Sequence, residues 1–470
     1  MTDVMDRSLV FSAMLPEHLL LLGIVVLLGV EIVGRWSRAT LLLAVGAVTV
    51  AAGVAASMGA GGYSAAPFAG QFSVTPASLL AKAIVLALAV PVLLMSRDDF
   101  DGGEFPALVL SSLYGVCLLI SADSFLIMFL GLELLSLPVY ALILLAYRRP
   151  ESAESALKYL VLGGTATAMF LMGVSLLAGV SGNMDIAVFA AALGADDLMS
   201  RAAVVLIVLA FFLKAAVVPF HAWAPDAYEG ASVPVTAYMA TIVKAGVMLA
   251  VVRLFATAPV ASPMAQLLAV FPLVSIVWGN LAAIRQQSFR RLIAYSSIAH
   301  AGYLFYALLG DGAGRFQAIT FYVLAYSLVN VLAFAALPWS SDDRTRDRLD
   351  QLKGLFHRDP FAAIVIAMAM FSLAGLPPFP GFVAKFLIFR NVLAAGYTTY
   401  AVLGLVGSYL GIYFYLRVIQ VMFMSGDREA AGDAANAPAA GLAFSRAASL
   451  LCLAATLLLA VFPGWVLARM

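Results

Sequence analysis

The sequence predicts an all-α polytopic membrane protein of about fourteen transmembrane helices. Of its 470 residues 63% are hydrophobic and 11% charged, with a mean hydropathy of +1.01, against roughly 25% charged in a soluble domain. Apolar stretches recur from end to end, many of them close to the ~20 residues a helix needs to cross ~30 Å of hydrocarbon. They are continuously apolar, whereas barrel strands alternate over about ten positions.

Taken in order, the first three spans cover 18–33, 40–58 and 78–95. The chain start is broken by Asp3, Asp6, Arg7 and Glu17, unlike a cleavable signal peptide. Glu31 falls near a helix end, at the inner interface. Lys82 is near the start of the third span, where a long side chain can snorkel to the interface. The fourth and fifth spans cover 106–122 and 124–146. The fifth, FLIMFLGLELLSLPVYALILL, carries Glu133 with apolar residues on both sides.

The sixth covers 157–180 and the seventh 202–220. LIVLAFFLKAAVVPFHAW (206–223) sets Lys214 in an apolar run and Pro219 five residues later. The eighth, 235–256, carries Lys244. The ninth, tenth and eleventh cover 263–284, 292–309 and 316–338, with His300 in the middle of the tenth. In the twelfth, 361–389, GLPPFPG (375–381) stands just before Lys385. The thirteenth, 400–424, holds Arg417 seven residues from its end, where snorkelling or a structural pair are both open. The fourteenth covers 445–467.

These spans divide the chain into 1–105, with helices 1–3; 106–256, with helices 4–8; 257–425, with helices 9–13; and 426–470, a loop and the last helix.

Basic residues orient the chain. With the N-terminus outside, one set of loops holds Arg35, Arg38, Arg97, Arg148, Arg149, Lys158, Arg285, Arg290, Arg291, Arg344, Arg346, Arg348, Lys353, Arg358, Arg428 and Arg446. The other holds only Arg7, Arg201, Arg253, Arg315, Arg390 and Arg469. Both termini are therefore expected outside, and the polar loop 340–360 inside. Lys82, Lys214, Lys244, Lys385 and Arg417 remain within spans.

A charge at the bilayer centre costs between about 3 and over 10 kcal/mol, so Glu133, Lys214, Lys244 and Lys385 are functional candidates. Proline removes a backbone donor, and irregular backbone at membrane depth is tolerated only against protein or a hydrated cavity. Broken helices beside two of the lysines thus point to an ion pathway.

The spacing suggests a repeat. Glu133 to Lys214 is 81 residues and Lys214 to Lys244 is 30; His300 to Lys385 is 85 and Lys385 to Arg417 is 32. His300 is open to two readings, a satisfied core histidine or a relay position. His18, His221 and His357 lie at helix ends or in loops, which does not provide the paired histidines of a membrane cytochrome. Cys117 and Cys452 form neither a metal set nor a disulfide framework. A net charge of +1 argues against a nucleic-acid partner. The sequence holds no nucleotide-binding glycine motif placed between strand and helix.

GLELLSLPVYAL (131–142), ALKYLVLGGTATAMFLMG (156–173), FFLKAAVVPFHAWAPDAYEGASVPVTAY (211–238), RRLIAYSSIAHAGYLF (290–305), SLAGLPPFPGFVAKF (372–386) and YFYLRVIQVMF (413–423) resemble the antiporter-like membrane subunits of proton-pumping NADH:quinone oxidoreductase, respiratory complex I. Those are related to large subunits of multi-subunit sodium/proton antiporters. The LKYLVLGG and AYSSIAH stretches and the length resemble the N-type branch.

The resemblance implies two inverted five-helix repeats, helices 4–8 and 9–13, with helices 7 and 12 broken. It implies a proton relay of Glu133, Lys214, Lys244, His300 and Lys385. Ala222, Ala301, Ser232 and Ala384 depart from the usual pattern without removing a titratable group.

It further implies a non-redox, proton-pumping translocase subunit in a bacterial inner membrane, termini on the periplasmic side, packed against adjacent antiporter-like and small membrane subunits. NADH, FMN, iron–sulfur clusters and quinone would belong to partner subunits, with no cofactor or metal in this chain. The expected path enters from the inner side near Lys214, is held at Lys244, passes His300 and leaves by Lys385. A sodium/proton antiporter subunit is the alternative, and a scaffold whose buried charges only lock helices is a third reading.

Overall fold

Long apolar runs form long helices, and helices stop where glycine, proline or a capping side chain intervenes. The computed structural model describes residues 7–34, 37–100, 102–146, 150–256, 260, 262–310, 312–338, 347–425 and 439–469. Asp3, Asp6, Arg35, Arg148, Arg149, Arg344, Arg346 and Arg428 lie outside the described residues.

The main helices are α1 (Leu15–Val33), α2 (Ser37–Ala60), α3 (Pro76–Met95), α4 (Glu104–Ser121), α5 (Phe125–Leu144), α6 (Pro150–Ser181), α7 (Leu198–Ala215), α8 (Trp223–Gly230) and α9 (Val233–Leu254). They continue with α10 (Ser262–Ala283), α11 (Phe289–Tyr306), α12 (Gly312–Ala335), α13 (Pro360–Ala374), α14 (Pro380–Ala394), α15 (Thr398–Phe423) and α16 (Ala439–Val461). Thirteen of these are long and apolar enough to cross a membrane. The fourteenth expected crossing is a pair of half-helices, α13 and α14, of 15 residues each.

Several helices begin on a side chain that accepts an otherwise orphaned backbone N–H. Thr75 caps α3 in a reciprocal box with Ser78, Ser124 accepts from Ile127, Asp197 from Ser200, Ser288 from Arg291 and Asp359 from Ala362. α9, α11 and α12 are buried almost all round, whereas α1, α2 and α16 present apolar side chains outward. Polar groups on the central three helices therefore face protein rather than lipid.

The structure corrects two sequence expectations, the interfacial position of Lys82 and the extent of the seventh span. Lys82 does not reach an interface: it is wholly buried on α3, 2.6 Å from the equally buried Glu17 of α1. Its ammonium lies 5.0 Å from the centre of the Phe72 ring. That ring belongs to a β-hairpin, β1 (Ala65–Phe68) and β2 (Phe72–Val74), which hydropathy alone did not disclose. The seventh span is shorter than its apolar run: α7 ends at Ala215, and Ala216 adopts a left-handed conformation with φ 63°. The twelfth is interrupted after Ala374, where Gly375 takes φ 84°. Such a conformation suits glycine, which has no Cβ.

Glu31 and Arg417 are both half-buried. The Glu31 carboxylate accepts from the Gly103 N–H at 3.0 Å, and Arg417 donates to the Ile284 carbonyl at 2.6 Å. Arg417 thus makes a backbone contact just beyond the C-terminal end of α10.

Candidate functional site

Glu133 on α5 and Lys214 on α7 come together. The Lys214 Nζ stands 3.7 Å from Glu133 Oε1 and donates to Ser136 Oγ at 3.0 Å. Thr167 of α6 donates to the same Glu133 oxygen at 2.6 Å. Lys214 lies in the last turn of α7, where a cation suits the unpaired carbonyls of the helix end. The break beyond it is tied down twice. The indole N–H of Trp223 donates to the Leu213 carbonyl at 2.8 Å, and the Val218 N–H donates to Ser275 of α10 at 2.8 Å.

Lys244 occupies the middle of α9, directly after a single π-helical turn, Met239–Val243. Such turns are frequent at functional sites. Its ammonium donates to the Ser297 carbonyl at 2.6 Å and to the Ser297 hydroxyl, both on α11. That hydroxyl is also 3.2 Å from the phenol of Tyr228 on α8.

His300, one turn beyond Ser297, is buried, and each ring nitrogen meets a tyrosine hydroxyl. Nδ1 is 2.7 Å from Tyr322 and Nε2 is 3.2 Å from Tyr415. Tyr415 continues to Ser296 at 2.5 Å. The histidine is thus satisfied in the core and also part of a hydroxyl network, so the two readings of it do not exclude each other.

Lys385 sits after its break, five residues into α14. It donates at 3.0 Å to each of the Leu373 and Ala374 carbonyls that end α13, filling acceptors a broken helix leaves open. Its ammonium lies 5.1 Å from the Tyr303 ring centre, and that ring lies 5.5 Å from His300. The two broken helices therefore use their lysines differently. Lys214 precedes its break and faces a carboxylate, while Lys385 follows its break and binds backbone oxygens.

Among the described residues no direct hydrogen bond joins Lys214 to Lys244, Lys244 to His300, or His300 to Lys385. Small voids lie beside Lys214 and beside His300. One borders Lys214, Thr167 and Phe211, and one lies between His300, Tyr326, Ser372 and Gly381. Each has room for about one water molecule. Sequence reasoning missed Ser136, Thr167, Tyr228, Ser297, Tyr322 and Tyr415. A signal existed for Ser297, which stands at i−3 from His300 in AYSSIAH; the rest depend on helix packing.

The end of the bundle where α8 meets the start of α11 carries a cleft of about 370 Å³ lined by Glu151, Lys158, Asp226, Glu229, Arg290 and Arg291, among others. In its wall Arg290 and Asp347, only 2% and 1% exposed, are paired at 3.1 Å. Burial alone would push the Asp347 carboxyl up, but the Arg290 guanidinium overrides this and holds it below the usual carboxylate range.

Residues 122–411 match the family model described as NADH:quinone oxidoreductase/Mrp antiporter, transmembrane. NADH-quinone oxidoreductase subunit N of Pelobacter propionicus is 38% identical over 424 residues, covering 90% of this chain and 91% of the relative. A chain of respiratory complex I from Thermus thermophilus superposes with a TM-score of 0.82 at 35% identity, over 96% of this chain and 98% of that one. A chain of the Mrp complex from Dietzia sp. gives a TM-score of 0.83 at 22% identity, over 97% and 96% respectively, a likeness of fold.

Proposed function

The chain belongs to the NADH:quinone oxidoreductase/Mrp antiporter transmembrane family, and from that premise we propose that it is a proton-translocating membrane subunit of an NADH:quinone oxidoreductase. The near full-length similarity to an N-type subunit favours this over a sodium/proton antiporter subunit, whose likeness rests on fold at 22% identity. The protein is multi-pass, and likeness to subunits of a respiratory membrane complex favours a bacterial inner membrane. In this reading both termini face the periplasm, and the redox cofactors belong to partner subunits. The two five-helix repeats run from α4 to α9 and from α10 to α15, each with one broken helix.

One observation carries the relay: Lys244 lies at the centre of the wholly buried α9 with a serine hydroxyl and carbonyl as its partners. A core lysine kept only for packing would be stabilised far better by a carboxylate. In the proposed stroke, Glu133 near Lys214 stabilises the ammonium, and its withdrawal releases a proton towards Lys244. From there the proton passes the His300–tyrosine network to Lys385 and the outer side. Coupled sites of this kind titrate as a set. Moving one charge against 100 mV takes about 2.3 kcal/mol, supplied by redox chemistry in the partners.

The test is proton pumping and NADH:quinone turnover in membranes carrying Lys244→Ala, with assembly checked on a native gel. Assembled complex in which both rates fall together supports the relay. Wild-type rates in both would return the buried lysines to a structural role.

A further inference from the structure

The relay reading brings protons to Lys244 from Lys214, yet the unbroken chain of polar contacts from Lys244 leads elsewhere. It leads to Ser297 and Tyr228, under the charged inner cleft. We propose that Tyr228 and Ser297 form a second inner-side inlet serving Lys244 directly, with Arg290 as its plug. The proposal rests on the relay reading of Lys244.

Four observations carry it. First, Lys244 donates to both the hydroxyl and the carbonyl of Ser297, and the Tyr228 phenol lies 3.2 Å from that hydroxyl. Second, Tyr228 is on α8 between Asp226 and Glu229, two carboxylates that line the cleft. The helix that presents acids to the inner side thus also presents a buried hydroxyl towards Lys244.

Third, Arg290 and Ser297 are seven residues apart on α11 and so share one face, about 10 Å apart along the axis. Arg290 lines the cleft, and Ser297 lies two turns below it. Fourth, the Arg290 guanidinium closes the top of that interval. It donates to the Ala231 carbonyl, at the turn that ends α8, at 2.5 Å, and to Asp347 from Nε and Nη2 at 3.1 Å each. α8 itself is held from outside: Lys158 to Asp226 at 2.7 Å, Arg291 to Asp226 at 3.0 Å and Arg291 to Glu229 at 2.8 Å.

The step balances without any other reactant. Once Lys244 has passed its proton on, its neutral amine accepts the proton of the Ser297 hydroxyl. Ser297 takes one from the Tyr228 phenol, and Tyr228 takes one from water admitted from the cleft when Arg290 leaves the Ala231 carbonyl; the hydroxide left by that water takes up a proton from the inner bulk through the cleft, so one bulk proton is consumed. Both hydroxyls end as they began, and one N–H bond has formed.

The test compares Tyr228→Phe, Ser297→Ala, Ser297→Thr and Lys244→Ala in the assembled complex, per complex counted on a native gel. Pumping and turnover are read in ordinary and in heavy water. The inlet predicts a several-fold loss in Tyr228→Phe and Ser297→Ala, with an enlarged solvent isotope effect, and recovery in Ser297→Thr, which keeps the hydroxyl. Wild-type rates in Tyr228→Phe and Ser297→Ala, with Lys244→Ala impaired, would overturn the inlet and leave the relay standing. Equal loss in Ser297→Ala and Ser297→Thr with an unchanged isotope effect would also overturn it. Wild-type rates in Lys244→Ala would instead remove the relay reading itself.

Discussion

The Lys214 ammonium stands 3.7 Å from Glu133, at the long edge of an ion pair, because each charge is also engaged by a nearer hydroxyl. Thr167 holds the carboxylate at 2.6 Å and Ser136 the ammonium at 3.0 Å. At an effective dielectric of ~20, unit charges about 4 Å apart attract by about 4 kcal/mol, whereas a neutral hydrogen bond is worth about 0.5–1.5 kcal/mol net. The hydroxyls can therefore tune the separation without breaking the pair. Thr167→Val should leave assembly intact, let Glu133 close on Lys214, and slow pumping-linked turnover by roughly two- to tenfold, the rate equivalent of one such bond. Unchanged turnover in Thr167→Val vesicles would show that the separation is not rate-setting.

The Glu17–Lys82 pair invites a different comparison. Breaking a buried pair by removing one partner destabilises by about 3–5 kcal/mol, whereas replacing both with apolar groups is often neutral. Lys82→Met should therefore lower the thermal midpoint of the purified protein markedly, and Glu17→Leu added to it should restore most of the loss. A double variant as unstable as the single would show that Phe72 and the hairpin need the ammonium itself.

Asp347 gives a pH prediction. Its carboxyl is held low by Arg290 against the opposing effect of burial. A depressed folded pKa contributes stability at all pH values above the unfolded value of about 3.9. That contribution fades as pH falls through the lower folded pKa. The pair should thus be intact from neutral pH down to about 4 and lost below it. Asp347→Asn should lower the melting temperature at pH 7 and flatten the acid limb of the melting profile below about pH 4. An acid limb identical to wild type would mean that other carboxylates govern it.

The helices and the four central charges were legible because a bilayer makes both conspicuous: apolar runs of spanning length, and charges that those runs do not need. Glu133, Lys214, Lys244 and Lys385 could be picked out from their flanks alone. Their partners could not. Ser297, Tyr228 and Tyr415 are ordinary residues in sequence, and only packing brings Tyr228 of α8 to Ser297 of α11, and Tyr415 of α15 to Ser296 and His300. Lys82 was misread for the same reason, since its depth depends on Glu17, 65 residues away and unremarkable near the chain start. The break after Lys214 was placed late because proline marks where a helix cannot continue, while α7 stops earlier, at a left-handed Ala216.

The second broken helix depends on a close approach that one methyl group would prevent. A Cβ on Gly381, the second residue of α14, would collide with the carbonyl of Ser372 in the last turn of α13. The Gly381 N–H meanwhile donates to the Ser372 hydroxyl at 3.1 Å. The same approach lets Lys385, four residues on, reach the Leu373 and Ala374 carbonyls. Alanine is better than glycine in a helix interior by about 1 kcal/mol, so propensity alone predicts a stabilising change and the collision predicts the reverse. Backbone cannot rotate aside as a flexible side chain can, and the collision should win. Gly381→Ala should either lower the yield of assembled complex or, where assembly survives, reduce pumping by displacing Lys385. Gly53→Ala on α2, where the added methyl meets nothing within 4 Å, should be neutral. Assembly and pumping at wild-type level in Gly381→Ala would show that Lys385 does not depend on the α13–α14 approach.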